Sequence, residues 1–286
     1  MSLLKNAVKY LLIISLLSTV PVYAKRHKQV PVSQDRILAT NYVVQDLDSG
    51  EILAEQGSGE VRSIASITKL MTVMVVIDAG QDLNEMIDVK PIKGISGGIG
   101  NNRISRNDLI TLTLMSSNNL AAKTLAINYP GGEEGAIISM NMKAFALGMT
   151  ETHYADPTGL LDENQSTAHD LVTLLRAAEN YPLIKEASTT PEKRMSLQGK
   201  KKSYTVDFHT TNNLILKMPE IVISKTGWIR KSGGCLMMAV HDQGRRLAVI
   251  LLNSKNTHTR LRDAELLYGL QHGQYNTTGN RWRYNS

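Results

Sequence analysis

Apolar positions are grouped in two ways along this chain: in strand-length runs near residues 41–55 and 221–252, and at three- and four-residue spacing in between. Asn41-Tyr-Val-Val-Gln-Asp46 and Glu51-Ile-Leu-Ala-Glu55 flank Leu47-Asp-Ser-Gly50, a turn with glycine where a positive φ is wanted, which predicts a hairpin. A second hairpin is predicted from Gly234 to His241 and from Arg245 to Leu252, joined by Asp242-Gln-Gly244, with Ile221–Ile223 as a third strand ending at Ser224. Ser66 to about Ala79, Arg106 to Ile127, Gly132 to Leu147 and Thr167 to Asn180 read as helices. Thr257 to Leu270 reads as one more, with Leu261, Leu266, Leu267 and Leu270 on a face that can pack on a sheet. The expected architecture is one antiparallel sheet built from both ends of the chain around a mostly helical middle.

The first residues follow another pattern. Lys5 and Lys9 precede an apolar run from Tyr10 to Val20, then Pro21 and the small-residue ending Val22-Tyr-Ala24. This reads as a removable export leader over residues 1–24, too short to span a bilayer; an uncleaved N-terminal anchor is the alternative. Residues 25–35 are polar and read as a tether, 36–270 as the folded body, and 271–286 as a polar tail. Without the leader 262 residues remain, enough for one large domain or two small ones.

Composition narrows the function classes. With 42% apolar and 20% charged residues the chain is neither disordered nor a polytopic membrane protein. The net charge is +6, or +4 without Lys5 and Lys9, too diffuse to argue for nucleic-acid binding. The Lys193-Arg194 and Lys200-Lys-Lys202 clusters read as a solvated loop. Cys235 is the only cysteine, so no intrachain disulfide forms; on an apolar strand it reads as a buried thiol. The seven histidines make no metal-ligand pattern: His153 and His169 read as structural and His241 as a surface residue. No metal and no cofactor are expected.

Three motifs carry candidate chemistry. Ser66-Ile-Thr-Lys69 opens an apolar helix, so Ser66 and Lys69 share one face. A lysine desolvated against Leu70-Met-Thr-Val-Met-Val-Val-Ile77 loses pKa, and a neutral amine beside a hydroxyl is a general base for acyl transfer. Spacing alone does not establish this, since Ser2-Leu-Leu-Lys5 satisfies it inside the leader, and a serine cap followed by a snorkelling lysine fits too. Leu114-Met-Ser-Ser-Asn-Asn-Leu120 interrupts an apolar helical stretch with polar residues, as either a capped helix junction or a Ser-x-Asn element facing a cleft. Both Ser116 with Asn118 and Ser117 with Asn119 fit that element. Lys225-Thr-Gly227 directly follows a strand, where a lysine and a hydroxyl can hold an anionic group and glycine allows close approach; a simple turn is the alternative.

In this order and context the motifs resemble those of the serine acyl-transferases of the penicillin-binding and β-lactamase group. Arg62 to Thr72, Leu114 to Asn119, Tyr129-Pro-Gly-Gly132, Asp156-Pro-Thr-Gly-Leu160, Ser166 to Leu171 and Ser188-Thr-Thr190 extend the likeness to the low-molecular-mass D-alanyl-D-alanine peptidases, nearest to their endopeptidase branch. The resemblance implies an α+β, β-lactamase/transpeptidase-like fold: an antiparallel sheet flanked by helices, with a helical insert at about 76–200 and the site between the two. It implies Ser66 as acylated nucleophile, Lys69 as base and Ser117 as proton relay. Asn119 would hold a substrate amide, Lys225, Thr226 and Gly227 would bind substrate, and the Ser66 and Trp228 amides would form an oxyanion hole. It further implies a periplasmic enzyme acting on peptidoglycan stem peptides and acylated by β-lactams, with no nucleic-acid partner and no stable membrane anchor.

A D-alanyl-D-alanine carboxypeptidase uses the same motifs and stays open as an alternative, as does a non-catalytic β-lactam sensor or wall-binding protein. A β-lactamase would need a deacylating base, for which Glu163 is the nearest candidate. The chain departs from the family's Ser-Arg-Leu pattern at Gly94-Ile-Ser-Gly-Gly-Ile-Gly100, which leaves open how that loop lines the cleft.

Overall fold

The computed structural model describes residues 37–199 and 201–271. The leader, the tether and residues 272–286 of the tail lie outside the described residues. The elements in chain order are β1 (Asn41–Asp46), β2 (Ile52–Gln56), β3 (Arg62–Ser63), α1 (Thr68–Asp78), β4 (Met86–Val89), β5 (Asn102–Ser105), α2 (Arg106–Met115), α3 (Asn119–Ile127) and α4 (Gly132–Ala146). They continue with β6 (Gln165–Ser166), α5 (Ala168–Ala178), α6 (Pro182–Thr189), β7 (Glu192–Gln198), β8 (Ser203–His209), β9 (Ile221–Ile229), β10 (Gly233–Asp242), β11 (Arg245–Ser254) and α7 (Thr257–Gln271).

Both ends of the chain do build one sheet, in the order β2-β1-β11-β10-β9, with antiparallel pairing throughout. Alternation sorts its side chains. Tyr42, Val44, Leu236, Met238, Val240, Leu247 and Val249 face one side, where they bury Ala264, Leu267 and Tyr268 of α7. Val43, Met237, Ala239, Ala248 and Ile250 face the other, against α1, α2 and α5. With both faces covered, β10 and β11 read as continuous apolar runs rather than alternating ones. Leu261 and Leu266 lie partly buried against the sheet beside Leu267, as expected for the last helix. Cys235 is buried and unpaired.

Several expectations are corrected. The third strand does not stop at Ser224 but runs through Lys225-Thr-Gly227 to Ile229. The helix expected over 106–127 is two helices broken at Ser116–Asn118. The region 76–200 is not purely helical: it holds the β4–β5 hairpin, and β7 of a second hairpin. Lys193 and Arg194 lie on β7, ion-paired to Asp108 and Asp207, rather than in a solvated loop. His241 is not a free surface residue, because its Nε2 meets the buried Glu179 carboxylate at 2.5 Å, and Arg246 completes that pairing at 3.1 Å.

Candidate active site

Ser66 lies in a 3₁₀ turn, Ala65–Ile67, between β3 and α1, so it precedes the α-helix it was expected to open. Ala65 takes a left-handed φ of 48°, and Thr68 Oγ1 donates to its carbonyl at 2.8 Å, which fixes the turn. Three residues after Ser66, as the second residue of α1, Lys69 is fully buried, and its Nζ lies 2.8 Å from Ser66 Oγ. The same nitrogen donates to Asn119 Oδ1 at 2.7 Å and to the Thr158 carbonyl at 2.5 Å. Burial pulls the Lys69 pKa down to about 7, partly opposed by the Asp156 carboxylate. A neutral amine has two N–H bonds and one lone pair. Asn119 Oδ1 and a carbonyl oxygen can only accept, so they use both hydrogens and leave the lone pair facing the Ser66 hydroxyl. That arrangement can take the hydroxyl proton.

The Thr158 carbonyl is held by its own loop. Asp156 accepts from the Thr158 and Gly159 amides, each at 2.9 Å, and also from Thr158 Oγ1 and Asn164 Nδ2. Gly159 has a φ of 77°, and a Cβ there would overlap the Ala65 carbonyl and stand 2.9 Å from the Ser66 amide nitrogen.

The break between α2 and α3 resolves the ambiguous register. Ser116 Oγ donates back to the Leu112 carbonyl, and Asn118 caps α3 by accepting from the Ala121 amide at 3.0 Å. Ser117, with a φ of 55°, and Asn119 are the pair turned to the site. Ser117 Oγ accepts from Lys225 Nζ at 2.8 Å.

Lys225 belongs to β9, the edge strand of the sheet. It is buried and also donates to the Thr226 carbonyl at 2.8 Å. Burial, then the charges of Lys69 and Arg260, hold its pKa well below the ordinary lysine range. Thr226 Oγ1 lies 2.6 Å from Thr211 Oγ1. A Cβ on Gly227 would stand 2.9 Å from the Ser66 amide nitrogen, so glycine is what lets β9 lie against the Ser66 turn. Behind the strand, Arg260 of α7 donates to the Gly227 carbonyl at 2.7 Å, and burial lowers its pKa. Trp228 follows, 53% exposed.

The structure therefore brings Ser66, Lys69, Ser117, Asn119, Lys225, Thr226, Gly227 and Trp228 together. Sequence reasoning missed Thr158, which acts through a backbone carbonyl and so leaves no side-chain signal. It also missed Arg260, which reads as one more charged residue of the polar run Thr257-His-Thr-Arg-Leu-Arg-Asp263. Glu163 lies exposed, and the amide of neighbouring Asn164 is engaged by Asp156 and the Leu161 carbonyl. Among the described residues no group of three His, Cys, Asp or Glu could hold a metal, and no helix is long and apolar enough to cross a membrane.

Known proteins resemble this chain in sequence and in fold. A family model described as D-alanyl-D-alanine carboxypeptidase matches residues 28–256. A D-alanyl-D-alanine endopeptidase of Pseudomonas aeruginosa is 39% identical over 241 residues, covering 82% of this chain and 77% of that protein. One from Escherichia coli K12 is 38% identical over 251 residues, covering 85% and 80%. Among solved structures, penicillin-binding protein D2 from Listeria monocytogenes in its cefotaxime-bound form matches with a TM-score of 0.72 at 26% identity, over 82% of this chain and 98% of that one.

Proposed function

The chain belongs to the D-alanyl-D-alanine carboxypeptidase family, and from that membership we propose that it is a serine DD-endopeptidase, hydrolysing D-alanyl cross-links in peptidoglycan through an acyl-enzyme on Ser66. The observation that carries this reading is the Lys69 amine, buried, with a pKa of about 7 and 2.8 Å from Ser66 Oγ. Ser66 Oγ attacks the D-alanyl carbonyl and its proton passes to Lys69 Nζ. The amides of Ser66 and Trp228 receive the carbonyl oxygen as it gains charge. Ser117 relays a proton to the departing amine, and Lys225, at 2.8 Å, supports that hydroxyl. Asn119 Oδ1 is engaged by Lys69, which leaves Nδ2 to donate to a substrate carbonyl. Lys225 and Thr226 receive the carboxylate of the leaving residue. Water then releases the acyl group and restores Ser66.

β-Lactams acylate the same serine in this reading. The exposure of Glu163 supports a long-lived adduct rather than antibiotic hydrolysis. We place the enzyme in the periplasm, delivered by the leader at 1–24, with 36–270 as one catalytic domain. Incubating the full protein with cross-linked muropeptide dimers and monomeric pentapeptides, with mass analysis of products, tests the assignment. Dimers falling to monomers is the expected result. Loss of a terminal alanine alone would make it a carboxypeptidase, and no product from either would favour the sensor or wall-binding reading.

A further inference from the structure

The Trp228 amide and the Gly227 carbonyl belong to one peptide group. A trans peptide aims its N–H and its C=O in opposite directions, so a group that holds the carbonyl acts on the N–H from behind. Along a strand the main-chain groups of successive residues point alternately to the two sides. In β9 the Ser224 amide turns to Ser188 Oγ of α6 at 3.3 Å and the Thr226 carbonyl to Lys225 Nζ at 2.8 Å, both away from β10. Trp228 shares that side, the free edge of the sheet. Gly227, opposite Cys235 in the β9–β10 pairing, turns its carbonyl the other way, where it accepts from Arg260 Nη1 at 2.7 Å.

Arg260 is costly to keep in that place. It is 5% exposed, it forms no ion pair among the described residues, and its buried Nε has no hydrogen-bond partner. A buried cation without a counter-charge destabilises a fold, and an apolar side chain would fill the space better. A second glycine makes room for it: a Cβ on Gly234 would stand 2.7 Å from the Asn256 carbonyl, the group that accepts the Arg260 amide. We infer that Arg260 is a positioning residue of the oxyanion hole: its guanidinium fixes and polarises the Gly227–Trp228 peptide, so that the Trp228 N–H donates more strongly to the scissile carbonyl oxygen. Hydrogen bonds in series strengthen one another, most where the outer donor is charged and water is excluded. Nη1 stands at most about 5 Å from the Trp228 nitrogen, the 2.7 Å contact plus the O-to-N span of one peptide. Arg260 moves no proton. Its effect grows with the charge on the substrate oxygen, so it acts on the acylation step and little on the initial complex. The inference rests on the acyl-enzyme reading above.

The test uses the full chain and benzylpenicillin. Stopped-flow kinetics separate the dissociation constant of the initial complex from the acylation rate constant, and isotope-edited infrared difference spectra read the ester carbonyl of the adduct. Arg260→Gln and Arg260→Met should each lower the acylation rate constant about 10- to 50-fold, less than the roughly 100- to 1,000-fold of losing an oxyanion donor outright. The dissociation constant should stay within about twofold, and the ester carbonyl stretch should move to higher wavenumber. Arg260→Met removes an unpaired buried charge, so it should melt close to wild type while losing rate, which a purely structural role would not produce. Arg260→Lys keeps the charge and should restore most of the rate and of the carbonyl frequency. An unchanged carbonyl frequency in the methionine and glutamine variants would overturn the inference and leave the acyl-enzyme intact. So would a loss carried by the dissociation constant, which would make Arg260 a contact of the ligand's carboxylate. No acylation of wild type would overturn the acyl-enzyme reading itself, and this inference with it.

Discussion

Lys225 and Ser117 meet at 2.8 Å although 108 residues separate them in the chain. The contact ties the edge strand of the sheet to the break between α2 and α3, so it forms only when those two parts of the fold are assembled together. It also sets the orientation of a serine whose φ of 55° is rare for a residue with a side chain.

Ser117 and Ser116 are chemically identical neighbours in different surroundings, which makes them a controlled pair. Ser117→Ala should lower the acylation rate by about 100-fold or more, the usual scale for losing a proton-transfer group. Ser116→Ala removes only a bond to the Leu112 carbonyl and should stay within about twofold, with a stability change near 1 kcal/mol or less. Stopped-flow acylation of both variants by a chromogenic β-lactam checks this. A larger loss in the Ser116 variant would refute the register assigned to Ser117 and Asn119.

Lys69 sets the pH dependence. Since only the neutral amine accepts the serine proton, acylation should rise about tenfold per pH unit below 7 and level off above it. Its folded pKa of about 7 lies below the ordinary 10.5, so between those values the unfolded chain binds more protons than the folded one. Folding stability from this group therefore rises with pH across that window, on the order of 1.4 kcal/mol per unit, and the full cost of burying the charge is present below it. Lys69→Met removes the titrating group. The difference in unfolding free energy, variant minus wild type, should be greatest below pH 7 and shrink as the pH rises. Urea melts at several pH values that gave a constant or growing difference would contradict the assignment.

Gly159 and Gly227 make a steric claim that can be separated from general glycine effects. Gly159→Ala puts a methyl group on the Ala65 carbonyl at a φ of 77° and should cost roughly 2–4 kcal/mol, with acylation falling more than tenfold. At Gly227 a new Cβ would meet the Ser66 nitrogen, Ala65 Cβ and the Ile64 carbonyl at 2.9–3.0 Å, so about 1–3 kcal/mol and a similar kinetic loss are expected. Gly80→Ala is the comparator: φ is 64° but the space is open, so stability should fall by about 1 kcal/mol with acylation unchanged. A comparable loss of acylation in all three would show that crowding at Ser66 is not the cause.

What the sequence made legible follows from where the information lies. The terminal sheet could be read because β10 and β11 are apolar on both faces and their Asp242-Gln-Gly244 turn is explicit. β9 looked shorter than it is because Ser224-Lys-Thr226 breaks the apolar run; those polar groups are instead engaged by Asn212, Ser117 and Thr211. The β7–β8 hairpin escaped because Lys193 occupies an inward position on its alternating face, tolerated through the ion pair to Asp108. Spacing could not choose between Ser116 and Ser117, since the choice depends on a left-handed φ at a non-glycine residue.

The Gly94–Gly100 loop, which departs from the family pattern, should act through Asn118. Ser96 accepts from the Leu120 amide at 3.1 Å, and the Gly97 carbonyl accepts from Asn118 Nδ2 at 2.8 Å, so the loop grips both sides of the residue that begins α3. A Cβ on Gly97 would overlap Asn118 Oδ1 and stand 2.6 Å from Leu120 Cβ. Asn118 lies between Ser117 and Asn119, so displacing it should disturb both. Gly97→Ala should therefore lower acylation more than tenfold while costing about 1–3 kcal/mol of stability. Asn118→Asp separates the two roles. It keeps the oxygen that caps α3 but loses the N–H that reaches Gly97, so stability should hold to within about 1 kcal/mol while acylation falls. Full acylation by Asn118→Asp, with its melting temperature unchanged, would show that the loop covers the α3 cap without positioning Ser117 or Asn119.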